Sequence, residues 1–179
     1  SFNHQSKAND RWMRWMLTNN DRKNKILNEI IDLLGNFYPL GFSNPRVTEE
    51  EWTTTLTLKL TNIALEIEID WRDFDIFVLV VRLENGDLPS GYYVSKGRPC
   101  RYHLQKVISD RNWAVDRETL VAISPEKRGR KQNNKRSEEV MLAQFHAYKK
   151  VLDGCIEKLV NEEDAIFTGR TQLGSAIDG

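Results

Sequence analysis

Long apolar runs are missing from this sequence. The longest uninterrupted one, Ile76 to Val81, has the length of a β-strand; a membrane-spanning helix requires ~18 or more such residues. Cysteine is nearly missing too. Cys100 and Cys155 stand far apart and in no metal-ligand spacing, which argues against a zinc framework or a disulfide-stapled scaffold and favours a reducing, cytoplasmic setting. Histidine is limited to His4, His103 and His146, none of them beside a recognisable nucleophile. The opening residues Ser1-Phe2-Asn3-His4-Gln5 lack the apolar centre of a secretory signal. No glycine pattern has the spacing of a phosphate-binding loop. Neither a catalytic residue nor a metal or cofactor site is therefore expected.

A surplus of charge of one sign is also missing, because 26 basic groups balance 26 acidic ones. That balance hides segregation along the chain. Residues 47–95 carry ten acidic and three basic groups, and residues 96–136 carry twelve basic and four acidic. Blocks of opposite sign either neutralise each other in the fold or leave a polarised surface that steers a charged partner. At 179 residues, with 40% apolar and 29% charged residues, the chain fits one domain with a substantial core.

The pattern predicts an α+β protein, an antiparallel β-meander of about four strands packed with N-terminal and long C-terminal helices. Trp12, Trp15 and Met16 fall at helical spacing within Lys7–Leu17, a short helical arm over residues 1–21 that Asn19-Asn20-Asp21 would end. Ile26, Ile30, Leu33 and Leu34 predict a second helix from Arg22 to Phe37, stopping near Gly35. Period-two alternation then predicts strands at Trp52–Leu60 and Ile63–Trp71, and a doubly covered strand at Ile76–Leu83. Asn85-Gly86 is a hairpin signal, after which Gly91–Ser95 would return as a fourth strand. Pro99–Asp110 reads as a helix, Leu120–Ile123 as a brief strand or helical turn. Ser137 would cap a long helix with the stripe Met141, Phe145, Tyr148, Leu152, Cys155 and Leu159. Residues 165–179 read as a flexible tail.

Three groups of residues offer chemistry. Glu66, Glu68 and Asp70 alternate along one strand, so their carboxylates share a side at a spacing of roughly 6–7 Å, and Asp73 and Asp75 follow in the next turn. Such a row would dock a basic protein surface, hold a divalent metal for hydrolysis, or form a solvated face neutralised by Lys59, Arg72 and Arg82. Tyr92, Tyr93 and Arg98 are of the residue types that dominate protein interfaces. Lys127, Arg128, Arg130, Lys131, Lys135 and Arg136 form a basic loop that would bind nucleic-acid phosphates, although aromatic groups for base stacking are lacking there.

A helix over 22–37, a meander with an acidic middle strand, Asn85-Gly86-Asp87-Leu88-Pro89 and closing helices together resemble small bacterial immunity proteins that accompany polymorphic toxins. Over about residues 22–160, the resemblance implies a protein-binding module that neutralises a cognate toxin domain by covering its active site. The basic stretch 127–136 departs from the mainly acidic character common in that class. Function is thus expected to be protein binding through Glu66, Glu68, Asp70, Asp73, Asp75, Tyr92, Tyr93 and Arg98. A metal-dependent hydrolase or nuclease using the same carboxylates and a nucleic-acid-binding module using 127–136 are the alternatives.

Overall fold

The computed structural model describes residues 2–124 and 137–168. Helix α1 (Phe2–Leu33) leads through a 3-10 helix (Gly35–Leu40) into strands β1 (Arg46–Glu49), β2 (Thr53–Lys59), β3 (Ile63–Asp70) and β4 (Asp75–Arg82). Two short strands, β5 (Val94–Ser95) and β6 (Arg98–Pro99), precede β7 (Arg101–His103). Helices α2 (Leu104–Asp110), α3 (Arg117–Ala122), α4 (Glu138–Asn161) and α5 (Glu163–Thr168) follow. The main sheet is antiparallel, in the order β1-β2-β3-β4-β7, so the α+β meander stands with five strands.

Alternation assigns one sheet face to the core. Leu56 and Leu58, Leu65, Ile67 and Ile69, and Ile76, Val78 and Val80 meet Ile30 of α1, Leu34 just past its end, and Phe145, Tyr148, Leu152 and Leu159 of α4. All six residues of the expected α4 stripe are buried. Ser137 accepts a hydrogen bond from the Val140 amide at 3.3 Å and so caps α4. Ser137→Ala is expected to lower the unfolding free energy by about 1 kcal/mol, because an N-terminal amide loses its acceptor; urea denaturation measures this.

Three expectations are corrected. The helix does not break at Asn19-Asn20-Asp21: α1 runs unbroken to Leu33. Thr18 Oγ1 donates to the Arg14 carbonyl and Asn19 Nδ2 to the Trp15 carbonyl, each one turn back, so these polar side chains bond within the helix instead of opening it. Tertiary packing holds the rest. Trp12 and Trp15 stack together, Trp12 packs on Trp52, and Trp15 on Trp52 and Trp71. Lys23 is buried with its ammonium over the Trp12 and Trp71 rings and paired to Glu49.

Second, Gly91–Ser95 is not the fourth strand of the sheet. Among the described residues Val94–Ser95 pairs with Arg98–Pro99 alone, around a turn in which Lys96 and Gly97 both have positive φ (51° and 73°). The expected Asn85-Gly86 turn forms in the same way, with φ of 52° and 82° and a Glu84–Asp87 bridge. Both are the type I′ geometry of tight hairpins. Two such turns in succession fold residues 84–100 over the sheet, and β7 takes the place beside β4. Third, that pairing uses Arg101–His103, so the helix expected from Pro99 begins only at Leu104. Strand β1, with all four residues exposed, was not anticipated, and Leu120–Ile123 belongs to a helix end.

Candidate functional site

The sheet face away from the helices carries the polar alternates. Register places Thr53, Asp70 and Asp75 in one row across β2, β3 and β4, and Thr55, Glu68 and Phe77 in the next. Thr57, Glu66, Leu79 and His103 form a third, and Lys59, Ala64, Val81 and Arg101 a fourth. Glu66, Glu68 and Asp70 do share one side. Their surroundings, however, differ sharply.

Glu66 is only 4% exposed, and Arg101 is 8% exposed. The guanidinium reaches across β4 to grip the carboxylate with two bonds, Nε to Oε1 at 2.6 Å and Nη2 to Oε2 at 3.1 Å. Its remaining nitrogen, Nη1, donates to the carbonyls of Gly91 and Tyr92 at 2.9 and 2.8 Å. Burial is the largest single influence on Arg101 and opposes its charge, but the hydrogen bond to Glu66 and the charge of Glu66 together with its neighbours outweigh it and hold the guanidinium above its usual range. Glu66 is therefore not a docking carboxylate. Two of the three cations expected to neutralise the row act elsewhere: Lys59 donates to the Gly86 carbonyl, and Arg82 to the Pro99 and Ser95 carbonyls.

Arg101 also fastens the loop. Cys100 Sγ donates to the same Gly91 and Tyr92 carbonyls. A Cβ on Gly91 would sit 1.8 Å from the Val94 carbonyl oxygen, so only glycine permits this chain path. The loop consequently lays Tyr92 against Arg101, 4.8 Å from guanidinium carbon to ring centroid, and directs its hydroxyl to Glu68 Oε1 at 2.5 Å. Tyr93 stands edge-on to Tyr92 at 4.6 Å, and its hydroxyl lies 3.3 Å from His103 Nε2. His103 in turn meets the Phe77 ring at 6.0 Å.

Glu68, half-buried, has its carboxyl pushed above the ordinary glutamate value, chiefly by burial and further by the neighbouring charge of Glu66, against the lowering bond from Tyr92. Burial and the bond to Glu68 likewise raise the Tyr92 hydroxyl, which stays protonated. Tyr92, Tyr93 and Val94 nevertheless remain 45–57% exposed. The result is a patch in which Tyr92 holds the Glu68 carboxylate and Tyr93, His103 and Phe77 extend the aromatic surface beside it.

Of the expected binding residues, the structure brings Glu68, Tyr92 and Tyr93 together. Asp70 instead accepts the amides of Arg72 and Asp73 and shapes the β3–β4 turn; Asp73 lies exposed in that turn, and Asp75 accepts its own next amide, Ile76. Arg98 is not part of the patch: it lines a cleft with Asn62, Ile63, Arg82, Glu163 and Asp164. The basic residues Lys127, Arg128, Arg130, Lys131, Lys135 and Arg136 lie outside the described residues. Among the described residues no group of three or more His, Cys, Asp or Glu side chains converges as metal ligands would, and no helix is long and apolar enough to cross a membrane. Sequence reading missed Phe77, Arg101 and His103 as site members; the mixture of aromatic and cationic residues in 91–103 was the available signal. Comparison with known proteins finds no family model that matches the chain, no curated protein similar to it and no solved structure similar to it.

Proposed function

We propose that the chain is a protein-binding module that engages a basic partner surface through Phe77, Tyr92, Tyr93, His103 and Glu68. The observation that carries this reading is the exposed tyrosine pair, fixed by the buried Arg101–Glu66 pair around a half-buried carboxylate. Tyrosines supply large contact area with few rotatable bonds, which is why they dominate binding energetics. The raised Glu68 carboxyl adds specificity, since an arriving cation relieves a charge that the fold itself disfavours. A cytoplasmic role as an immunity protein, with a secreted toxin nuclease as the basic partner, is the biological setting in which we place this module. The supports for that setting are the meander architecture and the acidic composition of residues 47–95.

The test compares affinity capture from the native host by the wild type and by the Tyr93→Ala/Glu68→Gln variant, followed by binding kinetics on the purified partner. A basic protein held by the wild type should bind the double variant at least tenfold more weakly, each hot-spot truncation contributing about 1–2 kcal/mol, and with a flatter salt dependence. Equal capture by both chains would move the binding surface elsewhere. Stability should respond in the opposite sense. A carboxyl raised in the folded state contributes stability below its ordinary value and loses it as pH rises through the folded value. At neutral pH, Glu68→Gln should therefore hold or raise the melting temperature while binding falls.

A further inference from the structure

We infer that the β1 edge is a self-pairing surface through which two copies of this chain form a twofold dimer with one continuous sheet. Every residue of β1 is exposed, and β1 is the first strand in the sheet order, with no strand on its outer side among the described residues. Glu50 and Thr53 exchange both backbone bonds, amide to carbonyl in each direction at 2.9 and 3.3 Å. Antiparallel ladders alternate, so Thr48 and Arg46 also face β2, while Val47 and Glu49 turn their amides and carbonyls outward. Those four groups are the docking elements.

Only registers that bring outward residues opposite each other can form bonds. Pairing Glu49 with its own copy brings together two carboxylates that each already pair with Lys23 and sets Thr48 opposite Glu50, so Arg46 finds no acidic residue across the seam. Pairing Val47 with its own copy puts Pro45, which has no amide hydrogen, opposite Glu49 on both sides of the twofold axis and forfeits two bonds. The register centred on Thr48 avoids both faults. There Val47 meets Glu49 of the second copy on each side of the twofold axis, giving four backbone bonds, and Thr48 meets Thr48. Arg46 then stands opposite Glu50 of the second copy, twice, on the same face as Thr48. Neither Arg46 nor Glu50 makes an ion pair among the described residues. Edge charges and a proline ordinarily protect against indiscriminate strand pairing; here the same devices favour the register that sets Arg46 opposite Glu50.

The interface is small, so dimerisation should be weak, with half-association near roughly 100 μM. Sedimentation equilibrium of the full chain across the micromolar range tests it. The wild type should move from monomer to dimer with concentration. Arg46→Glu alone and Glu50→Arg alone should each weaken association by about tenfold or more, since each places two like-charge pairs at the seam. The double swap, Arg46→Glu with Glu50→Arg, should restore it. Val47→Pro, which removes an outward amide and leaves the bonds to β2 intact, should give a monomer of unchanged melting temperature. A wild type that stays monomeric throughout, or single charge variants that associate as well as the wild type, or a swap that fails to restore, would each overturn the inference.

Discussion

Replacing Arg101 with alanine is expected to lower the unfolding free energy by about 3–5 kcal/mol, because Glu66 is left as an uncompensated buried charge. The loss reaches beyond the ion pair, since the same guanidinium holds the Gly91 and Tyr92 carbonyls. Residues 85–99 should then become a protease-sensitive segment, and Tyr92 should lose its seat on Glu68. A paired variant isolates the cause. Arg101→Met combined with Glu66→Leu removes both charges and their desolvation together, and should recover most of the stability. It should not recover partner binding, because Met has no donors for the loop carbonyls. Chemical denaturation and limited proteolysis of the three proteins separate these effects. Equal stability of Arg101→Ala and the wild type would contradict the burial of the pair.

The next largest effect is expected at the other end of the sheet. Trp71 is 1% exposed, packs on Trp15 and donates its indole N–H to the buried Thr54 hydroxyl at 2.8 Å. Trp71→Ala should cost about 3–5 kcal/mol through the cavity and lost contacts. Its signature should be local as well as global. An isolated helix of fewer than ~12–15 residues is marginal in water, so the first half of α1 depends on the tryptophan seat that Trp71 helps to form. Amide exchange in residues 7–20 should accelerate more than in residues 24–33, and near-ultraviolet ellipticity of the indole cluster should fall. Uniform acceleration along α1 would show that its first half does not depend on this seat.

What the sequence disclosed, and what it concealed, follows from the range of the forces involved. Period-two alternation in Thr53–Lys59 and Ile63–Asp70, the Asn85-Gly86 turn and the Met141–Leu159 stripe depend on neighbours a few residues apart, and all were legible. The continuity of α1 was not. Asn19-Asn20-Asp21 has the local chemistry of a helix end, and the packing of Trp12 and Trp15 on Trp52 and Trp71 overrides it. Strand β1 was invisible because Arg46–Glu49 is short, polar and exposed, leaving no hydrophobic period to read. Glu66 shows why a side-chain row does not define a surface. The alternation placed it on the face opposite the core, yet its burial comes from Arg101, 35 positions away, and from a loop path that Gly91 alone permits.

The two tight hairpins and the Arg101 clamp fix the tyrosine pair within the fold. On the proposed binding role, the ordering cost of that surface falls on folding, leaving little to be lost at association. A partner meeting such a prearranged face should dock without a slow adjustment step, and differences in affinity among related partners should appear mainly as differences in how long each stays.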